Sequence, residues 1–129
     1  MFGDKFIMGT FRCTIDGKSR IYISPKTGRE PGEELVVCKS QDNEYLVVYS
    51  EKTLSEKLHA LTKKIDNATS VEQHREYQKL LLEVLSSIIQ RTKVDKEGRI
   101  NLGTDLGYQN TKIECIGAGD SVIIRLPQK

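Results

Sequence analysis

At 129 residues, the chain has room for one domain, or for two very small modules that share a core. Its composition is that of a soluble globular protein, 37% apolar and 29% charged, and no apolar run approaches the ~20 residues needed to cross a bilayer. Net charge is +2, which excludes neither nucleic acid nor protein as a partner. The three cysteines, Cys13, Cys38 and Cys115, are odd in number and lack Cys-x-x-Cys spacing, which argues for reduced thiols in a cytoplasm and against a disulfide frame or a zinc site.

In chain order, the opening "MFGDKFIMGTF" has an early acidic residue and no long apolar segment, so no secretory signal is expected. "TIDGKSRI" follows at residues 14–21, and Ile21, Tyr22 and Ile23 form a short alternating strand. Residues 11–29 carry Arg12, Lys18, Arg20, Lys26 and Arg29 against Asp16 alone, a local basic patch that Glu30, Glu33 and Glu34 then balance. After the turn-prone "SPKTGREPGEE", the stretch "LVVCKSQDNEYLVVY" reads as a hairpin with residues 41–44 near its tip.

The rhythm then changes. "TLSEKLHALTKKI" places Leu54, Leu58, Leu61 and Ile65 at helical spacing, with Thr53 and Glu56 as a capping box. "DNAT" breaks this helix, and Ser70 with Gln73 opens a longer one that runs to about Gln90. Its apolar set is Tyr77, Leu81, Val84, Leu85, Ile88 and Ile89, widened by Leu80 and Leu82. A stripe that broad implies burial against more than one neighbour.

"KVDKEGRI", at residues 93–100, repeats the figure x-[IV]-D-x-x-x-R-I, with Asp95 lying 79 positions after Asp16. The likeness continues: Ile100, Asn101 and Leu102 form a strand, "GTDLGYQNT" a turn-prone stretch, and "KIECIGAGDSVIIRL" a hairpin turning at residues 117–120. The organisation is therefore a β-module (residues 8–50), a helical hairpin insert (51–92) and a second β-module (93–127). Neither module readily supports a core alone, so the two are expected to pack on one another as one compact α+β, mainly β, domain.

"IMGTFRCTIDGKSRIYISPK" and "TKVDKEGRINLG" resemble the two Asp-x-x-x-Arg copies of the MraZ family, and each is similar to the N-terminal module of AbrB and SpoVT regulators. The resemblance spans residues 9–126, helices included. It implies a double swapped-hairpin β-barrel in which the copies interlock about a pseudo-two-fold axis. It also implies a homo-oligomer, in that family a ring, that binds promoter repeats of a division and cell-wall gene cluster and is therefore cytoplasmic and nucleoid-associated. On the motif, Asp16 with Arg20 and Asp95 with Arg99 correspond to the family's pairs, and the family's DNA-facing basic residues are to be sought first at Arg20 and Lys18. The chain departs from the pattern at Gly103, where the family often has proline, and in the glycine-rich "TGREPGEE". It also stops at Lys129 without the usual C-terminal helix.

On chemistry alone, an aspartate four residues before an arginine can accept turn N–H groups and orient the guanidinium fork. Asp16 and Asp95 are accordingly expected to be structural. An arginine so held is pre-organised for guanine O6/N7 or for phosphate. Arg20 has Lys18 and Arg12 near it in sequence, whereas Arg99 lies among Asp95 and Glu97, so the first copy is the better DNA candidate. "DGKS" is not a phosphate-binding loop, since Arg12 stands where glycine is required. His59 and His74 lack metal-ligand spacing and no nucleophile–base set is visible, so no enzyme, cofactor, metal or small-molecule substrate is expected. A DNA-binding regulator is the leading expectation, with Arg20, Lys18 and Arg12 making the contacts and Arg99 supporting or duplicating them. The alternative is an oligomeric protein-interaction module on the same fold without DNA binding.

Overall fold

A computed structural model of the chain describes residues 7–22, 30–103, 107–119 and 121–127. The loop at residues 23–29, with Lys26 and Arg29, and the tip residue Asp120 lie outside the described residues. The first module supplies β1 (Ile7–Ile15), β2 (Arg20–Tyr22), β3 (Glu34–Lys39) and β4 (Tyr45–Ser50). Two helices follow, α1 (Glu51–Asp66) and α2 (Val71–Ser87). The second module supplies β5 (Ile88–Lys93), β6 (Arg99–Asn101), β7 (Thr111–Gly119) and β8 (Ser121–Arg125). The class is α+β and mainly β, as expected.

The strands pair across the modules. One sheet has the order β1-β7-β8-β4-β3-β5, and β2 and β6 form a separate two-stranded ribbon. Exchanging each strand for its counterpart in the other module (β1 for β5, β2 for β6, β3 for β7, β4 for β8) returns the same set of neighbours. The topology is thus unchanged by swapping the copies. Two pairings lie on the axis of that exchange: Ile21 opposes Ile100, and Leu46 opposes Ile124. Members of the first pair are 79 positions apart and of the second 78, because Leu46 lies 25 positions after Ile21 whereas Ile124 lies 24 after Ile100.

Alternation explains the core. Ile15, Ile21, Leu35, Val37, Leu46 and Val48 from the first module meet Val94, Ile100, Leu102, Ile113, Cys115, Val122, Ile124 and Leu126 from the second in one cluster. The other face of β3 places Val36 and Cys38 under Leu54 of α1, with Tyr49, Leu58, Val84 and Ile88 around them. β3 is therefore buried on both faces, which its unbroken "LVVC" records.

Two helix boundaries and one capping contact differ from the sequence expectation. Ser50, not Thr53, caps α1: its hydroxyl accepts from the Thr53 N–H at 3.0 Å, because β4 ends at Ser50 and leaves that side chain at the helix mouth. Ser70 caps α2 as expected, accepting from the Gln73 N–H at 3.1 Å. Gln73 Oε1, however, reaches back one residue further to the Thr69 N–H and hydroxyl. Finally, α2 stops at Ser87, not near Gln90, and residues 88–92 of the expected helical insert are strand. Pairing with β3 takes the β-branched Ile88 and Ile89 out of the helix, with a register shift between Val37 and Cys38 absorbing Ile89.

Burial of the α2 stripe also falls short of expectation. Tyr77, Leu81 and Val84 are half-buried, but Leu80, Leu82, Leu85 and Ile89 are exposed, as is Val71 at the helix start. Within one chain this helix packs on α1, β3 and β5 through its other residues. No helix among the described residues is long and apolar enough to cross a membrane.

Candidate nucleic-acid interface

Each Asp-x-x-x-Arg figure folds into the same turn. In the first, the Asp16 N–H donates to the Arg20 carbonyl at 2.9 Å and the Ser19 N–H donates back to the Asp16 carbonyl at 3.1 Å. Asp16 Oδ1 accepts from the N–H groups of Lys18 and Arg20, both at 2.9 Å, and Oδ2 accepts from Arg20 Nε at 2.9 Å. In the second, Asp95 Oδ1 accepts from Glu97 N–H at 3.0 Å and Arg99 N–H at 2.8 Å, while Oδ2 accepts from Arg99 Nε at 3.0 Å. The turn needs a left-handed residue at its fourth position. Gly98 fills it at φ 83° in the second copy, and Ser19 fills it in the first at φ 61°.

Each aspartate thus closes the turn and holds its arginine by one edge, the structural role expected of both. The arginine backbone N–H is the chief cause that keeps each carboxyl below its ordinary range. Burial, the next largest cause, opposes it, and the guanidinium adds to the lowering.

The turns feed the ribbon. Arg20 opposes Asn101, Ile21 opposes Ile100 and Tyr22 opposes Arg99. The two isoleucines face inward at 1% exposure, so Arg20, Tyr22, Arg99 and Asn101 share the outward face by alternation. Tyr22 is 51% exposed. Two arginines related by the axis therefore flank its emergence at the surface, with Lys18 and Glu97 exposed on the adjoining turns. Sequence reasoning did not single out Tyr22 or Asn101. Strand alternation from Arg20 and Arg99 was the signal that finds them.

Arg12 lies elsewhere. It is on the edge strand β1, opposite Glu114, and lines a groove of about 600 Å³ with Lys112, Arg125, Leu126 and Pro127. Neither Lys18 nor Arg20 lines that groove, so the three candidate cations Arg12, Lys18 and Arg20 divide between two sites. Glu34 meets Lys93 at 3.8 Å, and among the described residues it pairs with none of Arg12, Lys18 and Arg20. Cys38 and Cys115 are buried and Cys13 half-buried; all three are free thiols in strands. Burial pushes the Cys38 thiol up, in keeping with a core role. Among the described residues, no cluster of His, Cys, Asp or Glu could hold a metal. No protein-family model matches the chain, and no curated protein matches it.

Proposed function

We propose that this protein is a sequence-specific DNA-binding regulator of MraZ type, acting on promoter repeats of a division and cell-wall gene cluster. One observation carries the reading: two arginines, each tethered through Nε by its own aspartate, on the outward face of a two-stranded ribbon at a pseudo-two-fold axis. A two-stranded ribbon is one of the elements that a major groove admits. Tethering at Nε leaves a guanidinium's terminal nitrogens for guanine or phosphate and lowers the ordering cost of the contact. In this reading Arg20 and Lys18 make the principal contacts, with Arg99 in support and Arg12 at most a peripheral phosphate contact.

The interlocked copies are read as swapped-hairpin modules that close as a barrel. Contacts of β2 with β1 and of β6 with β5 support that closure, since they set the ribbon against both free edges of the six-stranded sheet. The protein acts as a homo-oligomer, in the manner of a ring, in the cytoplasm on the nucleoid. The exposed leucines of α2 support self-association. They equally favour the second reading, an oligomeric interaction module that does not bind DNA.

A titration separates the two. The probe is a promoter fragment from upstream of the protein's own gene, beside a scrambled duplex, at two salt concentrations. Tighter binding to the promoter, weakened by salt and lost in Arg20→Ala, is the expected result. Equal, feeble binding to both, unchanged in Arg20→Ala, would favour the interaction module.

A further inference from the structure

Carrying positions across the repeat by 79 matches Arg20 with Arg99, Lys18 with Glu97, and Tyr22 with Asn101. The arginines are held alike at Nε, but their outer nitrogens differ. Glu97 Oε2 accepts from Arg99 Nη2 at 3.3 Å. No carboxylate among the described residues meets the Nη groups of Arg20, whose neighbouring turn side chain is the cationic Lys18. The remaining faces differ too. Tyr22 presents a ring opposite Arg99, and Asn101 opposite Arg20 has its Oδ1 committed to the Gly103 N–H at 2.7 Å.

Resting on the DNA-binding reading above, we infer that the ribbon meets a duplex with built-in polarity: Arg20 reads guanine while Glu97 holds Arg99 off the bases, so a pseudo-symmetric chain selects an asymmetric sequence. A guanidinium grips guanine O6 and N7 with two coplanar N–H groups. Among the described residues, Arg20 keeps both terminal nitrogens clear of carboxylates for that grip. Arg99 has already given one to Glu97. Charge points the same way. In the first turn Lys18 and Arg20 outweigh Asp16, whereas in the second Asp95 and Glu97 cancel Lys96 and Arg99. Phosphates are thus drawn to one half of the face, and Glu97 is the residue that sets the direction.

The test is selection from duplexes with a randomised central segment, using the full chain as wild type, Arg20→Ala and Glu97→Ala. Glu97 is exposed and engages Asp95 through its backbone N–H, so truncating its side chain leaves the turn's bonds in place. Wild type is expected to enrich guanine on one side of the site. Glu97→Ala is expected to enrich a second guanine related by two-fold symmetry. That variant should bind the resulting symmetric duplex at least about fivefold more tightly than wild type does. Its log–log salt slope should steepen by up to ~0.9 for each phosphate gained. A palindromic wild-type consensus, or weaker binding by Glu97→Ala, would overturn the polarity while leaving DNA binding intact. No enrichment by wild type would overturn the DNA reading itself, and the polarity with it.

Discussion

Around the axis, the first copy contributes Ile15, Ile21 and Leu46 and the second Val94, Ile100 and Ile124, all exposed by 2% or less. On the turns beside them, Lys18 in one copy stands where Glu97 stands in the other, and on the ribbon's outer face Tyr22 stands where Asn101 does. The difference teaches where a duplicated chain keeps its symmetry. A buried position at the axis packs against its own counterpart, so the two must agree in volume and polarity. A solvent-facing position has no such partner. The shared turn belongs with the interior: its aspartate satisfies backbone donors that both copies possess.

The largest effect expected from breaking that symmetry is in the core. Ile21→Ala and Ile100→Ala remove the same contact from opposite sides, and each should cost about 2–5 kcal/mol in urea unfolding. The two values should be alike, and a near-neutral result for either would separate the copies energetically. Next is DNA affinity. Arg20→Ala should lose about 1–3 kcal/mol of binding to a preferred duplex with an unchanged unfolding midpoint, and Arg99→Ala less. Equal losses in a paired titration would mean that Glu97 does not distinguish the two.

The aspartates sharpen the comparison through pH. Both carboxyls lie lower in the folded chain than in the unfolded one, so their stabilisation is full above the ordinary carboxylate range and lost as pH falls through the folded values. Asp16→Asn and Asp95→Asn should each flatten the fall in stability below about pH 4, and by similar amounts in acid titrations of unfolding. The helical insert lies outside the repeat, and its substitutions should be milder. Ser70→Ala removes a cap and should cost ~1 kcal/mol by thermal unfolding. Leu82→Ser, on the exposed face, should stay within about 0.5 kcal/mol. Sedimentation of that variant tests whether the face joins subunits.

Much of this arrangement was legible before any coordinates. The eight-residue figure at residues 14–21 and 93–100, the order of β-module, helical hairpin and β-module, the Ser70 cap and the turn role of Asp16 and Asp95 all follow from local rules. Those rules act within a few residues, where side chain and backbone meet directly. What escaped them depended on distant partners. Ile88 and Ile89 continue a helical stripe, yet β3 recruits them into a strand. Arg12 lies eight positions before Arg20, yet alternation and pairing with β7 carry it to another groove. Alternation within each segment puts Tyr22 and Asn101 on the face of Arg20 and Arg99, but only register across the ribbon sets Tyr22 opposite Arg99 and Asn101 opposite Arg20.

The claim that the ribbon's outer face meets DNA is tested most directly by amide chemical-shift mapping of the labelled chain as a selected duplex is added. Changes concentrated at Lys18, Arg20, Tyr22, Arg99 and Asn101, larger in the first copy than in the second, are the expected result. Changes confined to α2 or to the groove around Arg12, with the ribbon unmoved, would contradict it.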